Sequence, residues 1–244
     1  VYGTGKREEN LRGYFAAISA MDEQIGRLLD AVEKQGLANN TVILFTADNG
    51  MSMGQHGVWG KGNGTFPMNM YDSAVKVPFL ISWPGHIPAN TVCSEMISAC
   101  DLLPTILKLT GLSDKQPAGL PGRSFTELLE GRQLEHRDEV VIFDEYGPVR
   151  MIRTKEWKYV HRYPYGKHEL YHLVDDPGEE KNLYGLPEYK KLVTQLKSRM
   201  EKWFCTYSDP AIDGVRSAVN GSGQLCRPGV YAIYEDPFAP KGVE

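Results

Sequence analysis

Apolar residues recur at steps of three and four over the first part of the chain: Leu11, Tyr14, Phe15, Ile18, Met21, Ile25, Leu28, Leu29 and Val32. That spacing predicts one long amphipathic helix with a single buried stripe. Gly36 is placed to stop it, because glycine enters the left-handed region at a helix end without a Cβ penalty. After Asn39 and Asn40 the pattern switches to an unbroken apolar run, Val42-Ile43-Leu44-Phe45-Thr46. Such a run reads as a strand buried on both faces, as in a parallel sheet covered by helices. A second apolar strand is predicted from Val77 to Trp83, closed by Pro84-Gly85. Asp101 is read as the cap of a short helix that Gly111 ends. Ser124 and Glu127 have the spacing of a capping box, opening another helix that Gly131 ends.

From residue 138 the periodicity changes. Val140–Phe143, Val149–Arg153, Trp157–His161 and Glu169–Leu173 are short, β-rich and separated by turn residues, which predicts an antiparallel meander. Helical spacing returns from Pro187 to Phe204 through Leu192, Leu196, Met200 and Trp203, and a Gly- and Pro-rich stretch after Cys205 reads as an extended tail. The fold class expected is α/β over 1–137, followed by a small antiparallel sheet with a helix and tail over 138–244. Two buried strands are few for a doubly wound sheet and would leave its edges bare. The expectation is therefore that 1–137 is the C-terminal portion of a larger α/β core, whose remaining strands lie in residues that precede it.

Composition narrows the function classes. A chain of 244 residues with 41% hydrophobic and 24% charged residues is globular rather than disordered. Lys plus Arg number 27 against 31 Asp plus Glu, a net charge of −4, which gives no electrostatic footprint for nucleic-acid binding. No apolar run approaches ~18 residues, so no membrane span is expected, and no basic-then-apolar leader opens the chain. Cys93, Cys100, Cys205 and Cys226 lack the close pairing of a zinc site. Cys93 and Cys100 read as buried core thiols, and a Cys205–Cys226 bridge is left open.

Candidate chemistry begins at Asp48-Asn49-Gly50. By itself the triplet is a turn, but it follows an apolar strand directly, and ligands of open α/β sheets bind at the carboxyl ends of strands. A carboxylate and an amide carbonyl side by side suit a hard cation such as Ca²⁺, which takes six to eight oxygen ligands, so two are a partial site. Lys61 follows in a glycine-rich loop, Gly57 to Thr65. A phosphate-loop reading fails because Gly62, rather than Ser or Thr, comes after Lys61. Read singly, Lys61 is a solvated loop lysine.

Read as a set, Thr46-Ala47-Asp48-Asn49-Gly50, Gly54-Gln55-His56-Gly57, Lys61, Tyr71 to Pro78, Trp83-Pro84-Gly85 and Asp101 to Thr105 resemble the sulfatase family. Glu169 to Leu173, Asp176-Pro177-Gly178-Glu179 and Asn182-Leu183 are similar to that family's C-terminal signature. The resemblance implies a type I, formylglycine-dependent sulfatase of the alkaline-phosphatase-like superfamily, of which this chain is the C-terminal part of the α/β sandwich. It implies that Asp48 and Asn49 are calcium ligands and that Lys61 holds the sulfate. It also implies an exported protein whose partner is an aryl sulfate or sulfated glycan. Asn rather than His after Asp48 favours a sulfatase over the zinc phosphatases of the superfamily. His56 is a candidate for touching the leaving group or substrate, the alternative being a loop histidine bonded to backbone. Trp59 and Asn63 are candidates for shaping the substrate pocket, the alternative for Trp59 being simple packing.

The nucleophile motif of the family, Cys or Ser followed two residues later by Pro or Ala and four later by Arg, fits none of the four cysteines. The expectation is half a metal site and no nucleophile, so no sulfate ester hydrolysis by this chain alone. Two alternatives stand beside the sulfatase reading. One is a phosphodiesterase or phosphonate hydrolase of the same superfamily, the other a non-catalytic pseudo-sulfatase that binds a sulfated glycan. An aromatic-basic cluster (His161, Arg162, Tyr163, Tyr165, His168) reads either as an anionic-sugar surface or as ordinary sheet surface. The acidic run 175–180 reads as a solvated turn. Sequons occur at Asn39, Asn63 and Asn220.

Overall fold

The computed structural model describes residues 7–132, 137–144, 147–163 and 166–216. Cys226, Asn220, Tyr165 and the expected tail beyond 216 lie outside the described residues. Helix α1 (Arg7–Lys34) is followed by strand β1 (Ile43–Thr46), a small hairpin of β2 (Ser52–Met53) and β3 (Trp59–Gly60), helix α2 (Asp72–Val75) and strand β4 (Phe79–Ser82). Helices α3 (Leu102–Leu109) and α4 (Thr126–Leu129) lead to strands β5 (Val140–Phe143), β6 (Val149–Arg153), β7 (Trp157–Arg162) and β8 (Glu169–His172), and helix α5 (Lys190–Tyr207) closes the order. The architecture is α/β, as expected.

The four-stranded sheet runs β5-β6-β7-β8, antiparallel throughout. Its two faces are both covered. Val141, Ile152, Tyr159 and Leu170 pack on Leu196, Met200 and Phe204 of α5. The alternate residues Val149, Met151 and Val160 pack on Met70. This is the period-2 alternation of a strand expressed on two buried faces. One face therefore belongs to the C-terminal helix, and the other receives the segment that precedes α2.

The first part of the chain departs from expectation in burial. Helix α1 has no buried residue, and Phe15 and Leu28 are 55% and 68% exposed, where a buried stripe was expected. Strand β1 was expected to be buried on both faces of a parallel sheet. Among the described residues it pairs only with β4, antiparallel, with Leu44 opposite Ile81, and it is half-buried at best. An apolar face is buried only if another layer covers it. Among the described residues α1 has no buried side chain, and the strand pair is covered in part on one side, where Phe79 meets Phe125 edge-on at 5.6 Å. Cys93 and Cys100 are exposed rather than core thiols: Cys93 lies in the stretch 88–98, which forms no helix or strand, and Cys100 lies on the helical turn Ala99–Asp101.

Two capping assignments also change. Ser98, not Asp101, caps the helical turn that leads into α3, and Asp101 completes the box by accepting from the Ser98 amide at 2.8 Å. Fully buried, Asp101 also accepts from the Arg123 amide at 2.7 Å and pairs with Arg137. Ser124 and Glu127 do not close a capping box. Glu127 instead meets Lys108 at 2.5 Å, drawing α4 against α3.

Candidate active site

Strand β1 ends at Thr46, and the chain turns through Asp48-Asn49-Gly50 directly beyond it. Asp48 is exposed and Asn49 half-buried, and the Asp48 Oδ1 accepts from the Asn49 amide at 2.9 Å. The turn is fastened to α2 at two points. The Gly50 amide donates to the Ala74 carbonyl at 2.8 Å, and the Ser52 and Ser73 hydroxyls lie 2.7 Å apart. Glycine is required at 50 because a Cβ there would sit 2.2 Å from the Ser73 carbonyl oxygen.

The second loop runs through the β2–β3 hairpin, where Met53 pairs with Trp59. His56 at its tip takes φ 54° between Gly54 at φ 96° and Gly57 at φ 73°. The imidazole stacks on Tyr71 at 3.6 Å with the rings 4° from parallel. Burial lowers the His56 pKa, against the neighbouring Glu169 charge and a bond to the Gly178 backbone. Trp59 is half-buried, whereas Lys61 and Asn63 are exposed. Among the described residues the Lys61 ammonium has no ion-pair partner. The backbone behind it is fixed. The Asn69 side-chain amide donates to the carbonyls of Lys61 at 3.4 Å and Gly62 at 3.1 Å, and the Asn69 main-chain amide donates to Gly62 at 3.0 Å.

Both loops thus converge on one short stretch, 69–74: Asn69 holds the Lys61 loop, Tyr71 backs His56, and Ser73 with Ala74 hold the Asp48 turn. Sequence reasoning missed what anchors this stretch. Lys158, on β7 and fully buried, reaches Asp72 Oδ1 and Glu179 Oε1, each at 2.5 Å, and donates to the Met70 carbonyl at 3.0 Å. The other Glu179 oxygen accepts from the Asp72 amide at 2.6 Å, and Arg153 adds a 3.2 Å pair to Asp72. Burial works to raise the Asp72 pKa, but Lys158 and Arg153 outweigh it and hold the carboxyl below its ordinary value. Burial pushes the Glu179 carboxyl up, against the pull of Lys158. Glu179, expected in a solvated acidic turn, is 3% exposed and holds φ 58°. No local signal marks it, since its partners lie on other elements.

The aromatic-basic cluster is not an outward sugar platform either. Arg162 is buried and donates to the Lys167 carbonyl at 2.6 Å, and His161 is buried against His168. A cavity of about 270 Å³ lined by Trp83, His86, Lys108 and Glu130 shares no residue with the Asp48 or Lys61 loop. As a cation site, Asp48 and Asn49 offer oxygens of the kind calcium takes. Among the described residues no group of three or more His, Cys, Asp or Glu is arranged to hold a metal. The donor set therefore fits in kind and is short in number. No helix among the described residues is long and apolar enough to cross a membrane.

Comparison with known proteins agrees with this layout. Residues 54–205 match the family described as N-sulphoglucosamine sulphohydrolase, C-terminal. An N-acetylglucosamine-6-O-sulfatase of Bacteroides thetaiotaomicron is 31% identical over 219 residues, covering 84% of this chain and 37% of the relative. A protein solved in complex with its substrate D-glucosamine-2-N,6-O-disulfate superposes with a TM-score of 0.75 at 29% identity, over 87% of this chain and 43% of that one. A phosphonate monoester hydrolase of Agrobacterium radiobacter superposes with a TM-score of 0.68 at 27% identity, over 82% of this chain and 42% of that one. The chain spans less than half the length of each of these proteins. With a family match over residues 54–205 and a relative 31% identical over 84% of the chain, the chain belongs to the sulfatase family, matching its N-sulphoglucosamine sulphohydrolase C-terminal domain.

Proposed function

We propose that this chain is the C-terminal part of a sulfuric ester hydrolase acting on a sulfated sugar, to whose site it contributes Asp48, Asn49 and Lys61. One observation carries the reading: the Asp48 turn and the Lys61 loop are both fastened to residues 69–74. A tetrahedral sulfate ester needs positive charge on its peripheral oxygens and on the oxygen that departs. Lys61, exposed and without an ion-pair partner among the described residues, supplies a compact cation to such an anion. Asp48 and Asn49 would hold a divalent cation together with ligands from outside this chain, and that ion polarises the sulfuryl oxygens when bound.

His56 would border the leaving group. Its ring is held flat on Tyr71, with burial favouring the neutral form, so its role is to orient and donate rather than to add charge. Trp59 and Asn63, which flank Lys61, would line the sugar side. The nucleophile, a formylglycine by family resemblance, has no candidate among the four cysteines of this chain. A sugar sulfate is favoured over an aryl sulfate by the relative named for N-acetylglucosamine and the neighbour solved with a glucosamine disulfate.

The test is complementation. The chain alone gives no turnover. Joined to the N-terminal half of a sulfatase that carries the nucleophile motif, it releases sulfate from 6-O-sulfated N-acetylglucosamine in a calcium-dependent manner. The likeness to a phosphonate monoester hydrolase supports a second reading, which faster cleavage of a matched phosphonate ester would favour. Calcium-dependent glycan binding without turnover in the joined protein would favour a non-catalytic pseudo-sulfatase.

A further inference from the structure

Building on that functional reading, we infer that Lys158 and Arg162, two buried cations on β7, are positioning residues that hold the backbone of residues 68–72 and, through it, both loops of the site. Alternation along β7 sends Lys158, Val160 and Arg162 to the sheet face opposite α5, the face on which Met70 packs. There Lys158 donates to the Met70 carbonyl at 3.0 Å and Arg162 to the Met68 carbonyl at 3.3 Å. Residues 68–71 belong to no helix or strand, so no ladder satisfies these carbonyls. Two strand cations take that place, four residues apart on β7, and they reach carbonyls two residues apart on the segment.

Neither cation is available to a substrate. Lys158 is 0% exposed and its ammonium is committed to Asp72, Glu179 and Met70. Arg162 is 2% exposed and also meets Glu169 at 3.1 Å. Plain core packing would not select such groups, since buried ion pairs are often replaced by apolar residues without loss of stability. What charge adds here is direction. Each cation points at a main-chain oxygen bracketing Asn69, the residue that bonds the Lys61–Gly62 backbone. The Glu179 carboxylate, clamped by Lys158, then receives the Asp72 amide and sets α2, whose Ser73 and Ala74 hold the Asp48 turn.

Amide hydrogen exchange and histidine NMR on the Lys158→Met and Glu179→Gln variants test this. The amides of Gly50 and Asn69 should exchange at least tenfold faster, and the His56 ring resonances should move toward those of an unstacked imidazole. The amides of Leu196 and Met200 in α5 should change less than twofold. Should Lys158→Met fail to fold, Glu179→Gln, which preserves shape, decides. Unchanged exchange at Gly50 and Asn69 in Glu179→Gln overturns the inference. So does uniform acceleration that includes Leu196 and Met200, the signature of a purely structural role. The readout needs neither calcium nor turnover, so failure of the sulfatase reading leaves it standing.

Discussion

Acid should loosen this fold through His161. The side chain lies on β7 facing α5, 7% exposed, with its ring stacked on His168 at 4.0 Å and its Nδ1 2.7 Å from the Tyr159 hydroxyl. Burial, reinforced by the positive charges of His168, Lys197 and Arg150, lowers its pKa from 6.5 to about 3. Between those two values the unfolded chain carries a proton on this ring and the folded protein does not. The unfolded state therefore binds more protons, and stability falls as pH falls. The contribution is fully present above pH 6.5 and shrinks by about 1.4 kcal/mol for each unit below it. At pH 5.0 the loss is about 2 kcal/mol, and it stays near that for any folded pKa below about 4.

Carboxylates titrate in the same range, so the control is His161→Phe, which keeps a ring against His168 and removes the titrating site. Urea unfolding at pH 7.5 and 5.0 provides the assay. With a denaturant slope of about 2 kcal/mol/M, the parent midpoint should drop by about 1 M more than that of the variant. Equal drops in the two proteins would refute the reasoning.

Two further substitutions probe the frame around the site. Gly50→Ala drives a Cβ to within 2.2 Å of the Ser73 carbonyl oxygen, so the turn must part from α2. A stability loss of about 1–3 kcal/mol is expected, with the lost Gly50–Ala74 bond read by amide exchange. Arg137→Met strips the guanidinium from Asp101, which is 0% exposed. That should cost about 3–5 kcal/mol in denaturant unfolding, and adding Asp101→Asn should recover part of it, because the uncompensated charge is then gone.

The antiparallel sheet was readable in the sequence because its strands are short, turn-bounded and completed by residues of this same chain. Helix α5 was readable for the same reason, since Leu196, Met200 and Phe204 find their partners in that sheet. The periodicity of α1 also predicted a helix correctly, yet its stripe lies exposed. A pattern reports which face seeks cover, whereas burial depends on whether a covering layer is there. The apolar run of β1 misled in the same way, promising two covered faces where the observed strand has a single antiparallel partner. Around the site, the turn at Asp48-Asn49 and the open loop at Lys61 could be read from adjacent residues. The Lys158–Asp72–Glu179 cage could not, because its members are distant in the chain. A lysine between Trp157 and Tyr159 faces inward or outward according to a register that sequence does not reveal.

The most direct measurement is sulfate release by the chain joined to an N-terminal sulfatase half, parent against Lys61→Ala, with calcium and 6-O-sulfated N-acetylglucosamine. If Lys61 grips the tetrahedral anion beside the Asp48–Asn49 turn, kcat/KM falls by about 10²–10³ while the unfolding midpoint is unchanged. Turnover within a few-fold of the parent would contradict the role given to Lys61 and, with it, the assignment of these two loops to one active site.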